Sequence, residues 1–118
     1  MKEAIKKAVA AHSMWKARLR TAIQSGKTDV PVATIKMDNQ CEFGKWLHSS
    51  ASTIEAKHMN RYKVVKDLHA QFHKMAGQVA ELAVEGNRND AEQLLDGEYA
   101  SASVKLTKEM MDWQKDIG

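Results

Sequence analysis

"IEAKHMNRYKVVKDLHAQFHKMAGQVAELAVE", residues 54–85, carries Ile54, Tyr62, Val65, Leu68, Phe72, Met75, Val79 and Leu82 on one helical face. A 3.6-residue apolar period held this long, with no proline inside it, predicts a single long amphipathic helix. Ser52 with Glu55 three residues on forms a capping-box pattern, so the predicted helix opens there and runs to about Glu85, where Gly86 stops it.

The same pattern extends in both directions. Residues 2–25 place Ile5, Ala8, Val9, His12, Trp15, Leu19, Ala22 and Ile23 on one face and end at Gly26, which predicts a second long helix. After the "NRND" break, with Asn89 or Asp90 as the cap, a third helix packs through Leu94, Leu95, Tyr99, Val104, Leu106, Met110, Met111 and Trp113, and Gly97 marks a kink. "KTDVPVATIKMDNQ", residues 27–40, reads as a long crossing loop because of Pro31, Asp29, Asp38 and Asn39. "CEFGKWLH", residues 41–48, reads as a short helix with Phe43, Trp46 and Leu47 inward and Gly44 admitting a close neighbour. The expected fold is all-α, a four-helix bundle of three long helices and one short helix carrying the Cys motif, in a single domain over residues 1–118.

Composition supports this and removes several function classes. The 118 residues include one proline and six glycines, which suits long helices better than many short strands. One cysteine permits no internal disulfide, and no signal-peptide pattern opens the chain, so a reducing, cytoplasmic setting is expected. Charged residues interrupt every apolar segment, which predicts no direct membrane insertion, although a longer parent protein could be membrane-attached. Lys2, Lys6, Lys7, Lys16, Arg18 and Arg20 make the first helix basic, yet the net charge is only +3 and no reading motif accompanies it. Nucleic-acid binding is not expected.

The chemistry-bearing pattern is built from histidines. His69 and His73 in "HAQFH" stand four apart, which on a helix brings both imidazoles to one face and within reach of one metal ion. They share the inward arc with Val65, Phe72 and Ala76, and His12 occupies the apolar stripe between Val9 and Leu19. Buried imidazoles need partners. For any single one, a hydrogen bond to a carbonyl or carboxylate suffices; three on the core faces of two helices point to a shared metal. Cys41, alone a small buried hydrophobe, could supply the fourth ligand from the short helix between them.

Three imidazole nitrogens and a thiolate suit zinc in a closed tetrahedral site, although copper, nickel or cobalt could occupy it in vitro. His48 and His58 lie too far away to share that metal and are expected at the surface. A di-iron bundle is disfavoured by the lack of histidine in the last helix, and no haem-attachment motif is present. A site closed by four protein ligands has no position for water or substrate, so an enzyme is not expected.

With His12 in "HSMWKARL", Cys41 in "CEFGKWL" and the pair in "LHAQFHKMA", the sequence resembles the chemoreceptor zinc-binding (CZB) domain family, over roughly Ala8 to Leu106. The resemblance implies a four-helix bundle, often dimeric, that binds zinc through His12, Cys41, His69 and His73. It further implies attachment to bacterial signalling proteins, chiefly chemotaxis receptors and diguanylate cyclases, that report zinc or oxidants such as hypochlorous acid. The expected partners are a zinc ion, a second copy of the chain, and a signalling domain in the same or another protein. No receptor hairpin or cyclase domain accompanies the chain as given, which is expected to be either an excised domain or a stand-alone member. The expected switch is metal loss or oxidation of Cys41, releasing residues 38–50. The rival expectation is a metal-free helical interaction module docking through Met110, Met111 and Trp113.

Overall fold

A computed structural model describes residues 2–38, 41–49 and 54–117, and among them every regular element is helical. The helices are α1 (Lys2–Ser13), α2 (Trp15–Ser25), α3 (Val32–Lys36), α4 (Glu42–Ser49), α5 (Met59–Val84), α6 (Arg88–Leu94) and α7 (Ala100–Ile117). A 3-10 turn over Ala56–His58 leads into α5, and a π-helical turn over Leu95–Tyr99 joins α6 to α7. They form a helical bundle. α5 is its central element and packs against α2, α3, α6 and α7, while α1 packs against α7 and α4.

The first predicted helix is broken at Met14. Ser13 turns its hydroxyl back onto the Ala10 carbonyl at 2.7 Å, and the Met14 N–H bonds Ala11 three residues back. Such local side-chain bonding competes with the helical ladder. The apolar face is nevertheless continuous across the break, with Ile5, Ala8, His12, Leu19, Ala22 and Ile23 buried. Gly26 closes α2 in the left-handed region at φ 72°, its N–H bonding the Ala22 carbonyl. Glycine suits that conformation because a Cβ would be strained there.

The long middle helix is present from Met59 to Val84. Its predicted capping box includes Ser52, which lies outside the described residues. Within the predicted crossing loop stands α3, which the sequence reading missed; Pro31 precedes it and Ile35 is its buried residue. α4 buries Phe43, Gly44 and Leu47, and the Leu47 carbonyl accepts a 2.6 Å bond from the buried Tyr62 hydroxyl of α5. Trp46 stacks on Phe43 and meets Trp113 of α7 at 5.9 Å between rings.

The last predicted helix differs in two respects. Asn87 stands at its cap position, two residues before Asn89 and three before Asp90, the expected caps. The kink at Gly97 is a π turn. Ala91, Leu95 and Tyr99 are all buried at successive four-residue steps. In an α-helix each such step overshoots a full turn by about 40°, and the wider π turn absorbs the excess. Beyond it Ala102, Leu106, Met110 and Trp113 are buried, whereas Val104 and Met111, expected to pack, are exposed at 67% and 48%. The reason is geometric: at about 100° per residue, position 104 stands on the far side of the helix from 106.

Leu106 is wholly buried, so Leu106→Ala is expected to cost about 2–5 kcal/mol of stability. Val104→Ser should change it by no more than about 0.5 kcal/mol. Urea denaturation followed by circular dichroism checks both, and equal effects would contradict the assigned faces.

Candidate metal centre

Three elements bring four donor atoms to one point. α1 presents His12 and α5 presents His69 and His73 one turn apart; Cys41 stands at the amino end of α4, where its carbonyl accepts the Lys45 N–H. The imidazoles are 3%, 0% and 2% exposed, so solvent does not satisfy them. Phe43 and Phe72 wall them, with ring centroids 5.3 Å from His69 and 5.0 Å from His12 respectively.

The contacts converge on His69. Its Nε2 lies 3.1 Å from His12 Nε2, 3.1 Å from His73 Nε2 and 3.4 Å from Cys41 Sγ, and the sulfur is 3.6 Å from His73 Nε2. One ligand atom from each of the four residues lies within 4.8 Å of every other. The outer ring nitrogens settle the protonation. His12 Nδ1 is 2.8 Å from the Ala8 carbonyl and His73 Nδ1 is 2.9 Å from the Ile35 carbonyl. A carbonyl only accepts, so each Nδ1 carries the proton and each Nε2 lone pair faces inward.

That arrangement fits a bound cation. A neutral His69 protonated on Nδ1 turns a third lone pair onto the other two, and its Nδ1 is buried with no partner among the described residues. Protonated instead on Nε2, it donates to one neighbour and leaves Nδ1 as an unfilled acceptor. A proton is a poor substitute for a metal here: burial pushes His12 down to about 4 and His69 down to about 2, and lowers His73 as well. A tetrahedral zinc ion with ordinary Zn–N and Zn–S bonds sets its ligand atoms about 3.3 Å apart for N to N and about 3.6 Å for N to S. The four separations given above lie close to these values, and the other two, from His12 to His73 and to Cys41, are no more than 4.8 Å.

Cys41 is the least enclosed of the four, and it sits against a cavity of about 440 Å³ between α1 and α4, bordered by Ala4, Ala8, Ala11, Phe43 and Trp46. Its Sγ accepts the Gly44 N–H at 3.3 Å, so the side chain caps α4. Burial raises its thiol above the ordinary value despite that bond, and the metal-free residue is a neutral thiol at pH 7. Gly44 is itself buried, and its N–H is what the sulfur requires.

The other two histidines are separate from this cluster. His48 is exposed and sits 3.3 Å from Asp38, as expected of a surface residue. His58, also expected at the surface, is buried at 8% exposure at the end of the 3-10 turn that leads into α5. The sequence reading also missed the Ile35 carbonyl that holds His73. A backbone acceptor leaves no signature in side-chain type.

An all-α bundle whose core holds a three-histidine, one-cysteine cluster fits the class of zinc-binding domains. A family model described as the chemoreceptor zinc-binding domain matches residues 12–80, more than half of the chain. The chain belongs to that family. The matched region holds all four clustered residues and ends short of the Leu106 expected from the motifs. No curated protein matches the chain significantly, and no solved structure does.

Three depressed histidine pKa values have a definite sign. The unfolded chain takes up these protons near pH 6.5 and the folded chain only well below it, so the imidazoles contribute stability above about pH 6.5 that is lost as pH falls toward about 4. The melting temperature of chelator-treated protein is expected to drop steadily from pH 7 to pH 4.5; a flat profile would contradict the buried neutral state. Iodoacetamide labelling of Cys41 in the same metal-free protein should be slow at pH 7 and still accelerating at pH 9.

Proposed function

We propose that this chain is a single zinc-binding regulatory domain of bacterial signal transduction, with His12, Cys41, His69 and His73 as the four ligands of one zinc ion. The observation that carries the reading is the convergence of three inward Nε2 atoms and one sulfur, with two imidazoles already fixed by carbonyls. When bound, zinc would supply the positive charge that keeps Cys41 a thiolate at neutral pH. Four protein ligands leave no open position, so the domain acts by binding and not by turnover.

Cys41 is the ligand suited to switching. The histidines are rooted in long helices, whereas Cys41 begins the eight-residue α4. A hypochlorous acid molecule reaching the sulfur would convert thiolate to sulfenic acid and leave as chloride, removing the anionic ligand. Loss of zinc or of that ligand frees the amino end of α4, while the Tyr62 bond to Leu47 retains its other end. A movement of this kind is the signal we assign to a partner signalling domain, as in chemotaxis receptors and diguanylate cyclases, with the domain acting as a homodimer.

A cytoplasmic setting would keep the thiol reduced. Among the described residues no helix is long and apolar enough to cross a membrane. The rival docking role for the last helix is weakened because Met110 and Trp113 are fully buried in the core and only Met111 is exposed.

Protein purified without added metal is expected to carry about one zinc per chain by elemental analysis, and Cys41→Ala and His73→Ala should lose most of it. Metal-free wild type with an unchanged fold would overturn the zinc reading in favour of an interaction module. Amide exchange over residues 41–47 should quicken on chelation, most at the Cys41 end; identical exchange with and without zinc would refute the release of α4.

A further inference from the structure

Gly77 stands inside α5, one turn beyond His73, and is buried. Glycine in a helix interior is destabilising relative to alanine, so its position calls for a local reason. α3 supplies it. A Cβ on residue 77 would lie 2.2 Å from Lys36 Cγ and 3.2 Å from both Lys36 Cα and Cβ. At 2.2 Å something must shift, and with Lys36 Cα and Cβ also at 3.2 Å the stem has little room to turn away, so the shift passes to the α3 backbone directly next to Ile35. One turn further on, Lys36 Nζ meets Glu81 at 2.7 Å. Residues 35 and 36 of α3 therefore bear on three successive turns of α5, at His73, Gly77 and Glu81.

The Lys36–Glu81 pair is half-exposed on both sides and contributes little to holding α3 in place. The close seating over Gly77 is what sets the height of α3 above α5, and that height sets the 2.9 Å distance from the Ile35 carbonyl to His73 Nδ1. We propose that Gly77 is a positioning residue of the metal centre: its missing side chain seats α3 so that the Ile35 carbonyl holds His73 in the Nδ1–H form, with Nε2 free to bind. This rests on the zinc reading above for its consequence, but the effect on His73 precedes any metal. A side chain at 77 lifts α3 and withdraws the carbonyl. His73 then loses the acceptor that favours its Nδ1 proton, and part of the population protonates Nε2, where the lone pair is needed. Outer-shell partners of this kind alter metal affinity by about ten- to hundredfold.

Long-range 1H–15N correlation spectra of metal-free, 15N-labelled protein report the tautomer of His73 directly, and competition with a chromophoric chelator reports zinc affinity. Wild type and Lys36→Ala are expected to show the Nδ1–H tautomer and affinities within about twofold of each other. Gly77→Ala should show a mixed tautomer and about ten- to hundredfold weaker zinc binding. Lys36→Ala/Gly77→Ala, which removes the 2.2 Å clash, should recover much of both. A wild-type tautomer in Gly77→Ala, or a double variant no better than Gly77→Ala, overturns the proposal, since a loss of helix stability alone would not be relieved by trimming Lys36. Should Gly77→Ala fail to fold, the double variant judged against Lys36→Ala carries the comparison. Its remaining 3.2 Å approaches predict a smaller loss of the same sign, and equal tautomers and affinities overturn the proposal. Protein that binds no zinc in any form refutes the zinc reading alone, because the tautomer ratio still decides the role of Gly77.

Discussion

Electron pairs that face one another in a dry core repel, and this chain directs several of them to one point. The bundle tolerates it because each helix brings its donor on an otherwise apolar face, so burial of Ile5, Val65, Phe72 and Leu106 proceeds around the cluster. The resulting frustration is local. It is confined to three imidazoles and a thiol, and a single divalent charge would relieve all of it together. Hydrophobic packing thus defines the bundle, and the donor cluster defines what kind of small charge it could take up.

Two of the imidazoles are oriented by main-chain carbonyls, but from different distances along the chain. His12 uses the carbonyl four residues back in its own helix, which α1 provides as soon as it forms. His73 depends on a carbonyl 38 residues away, which exists at the right place only when α3 is docked. The first orientation is a property of secondary structure and the second of tertiary structure. The part of the centre nearest α3 therefore depends on tertiary packing and is the more sensitive to changes remote from the four clustered residues.

Much of this was legible in the sequence because side-chain periodicity reports faces. The stripe from Tyr62 to Leu82 located the central helix, and the placement of His12, His69 and His73 within apolar arcs implied buried imidazoles, as found. What stayed hidden falls into two kinds. α3 is five residues long with no capping side chain, too short for a period to register, and its contribution is a backbone oxygen. Val104 and Met111 were misplaced because hydrophobicity alone was followed, although neither fits the period that puts Ala102, Leu106, Met110 and Trp113 on one face of α7. His58 is a third case: its burial depends on how a 3-10 turn meets α5, and no repeat in the sequence encodes that junction.

The π turn at Leu95–Tyr99 has a consequence for the carboxyl-terminal third of the bundle. One residue more or less in those five would turn everything from Ala102 onward by about 100° about the helix axis. Trp113 would leave its place beside Trp46 and Tyr62, and the buried stripe of Ala102, Leu106 and Met110 would turn off the core. Asp96, Gly97 and Glu98 are exposed, so their side chains could vary widely while their number could not. The turn works as a phase setting, a count of residues by which α7 is aimed at the rest of the molecule.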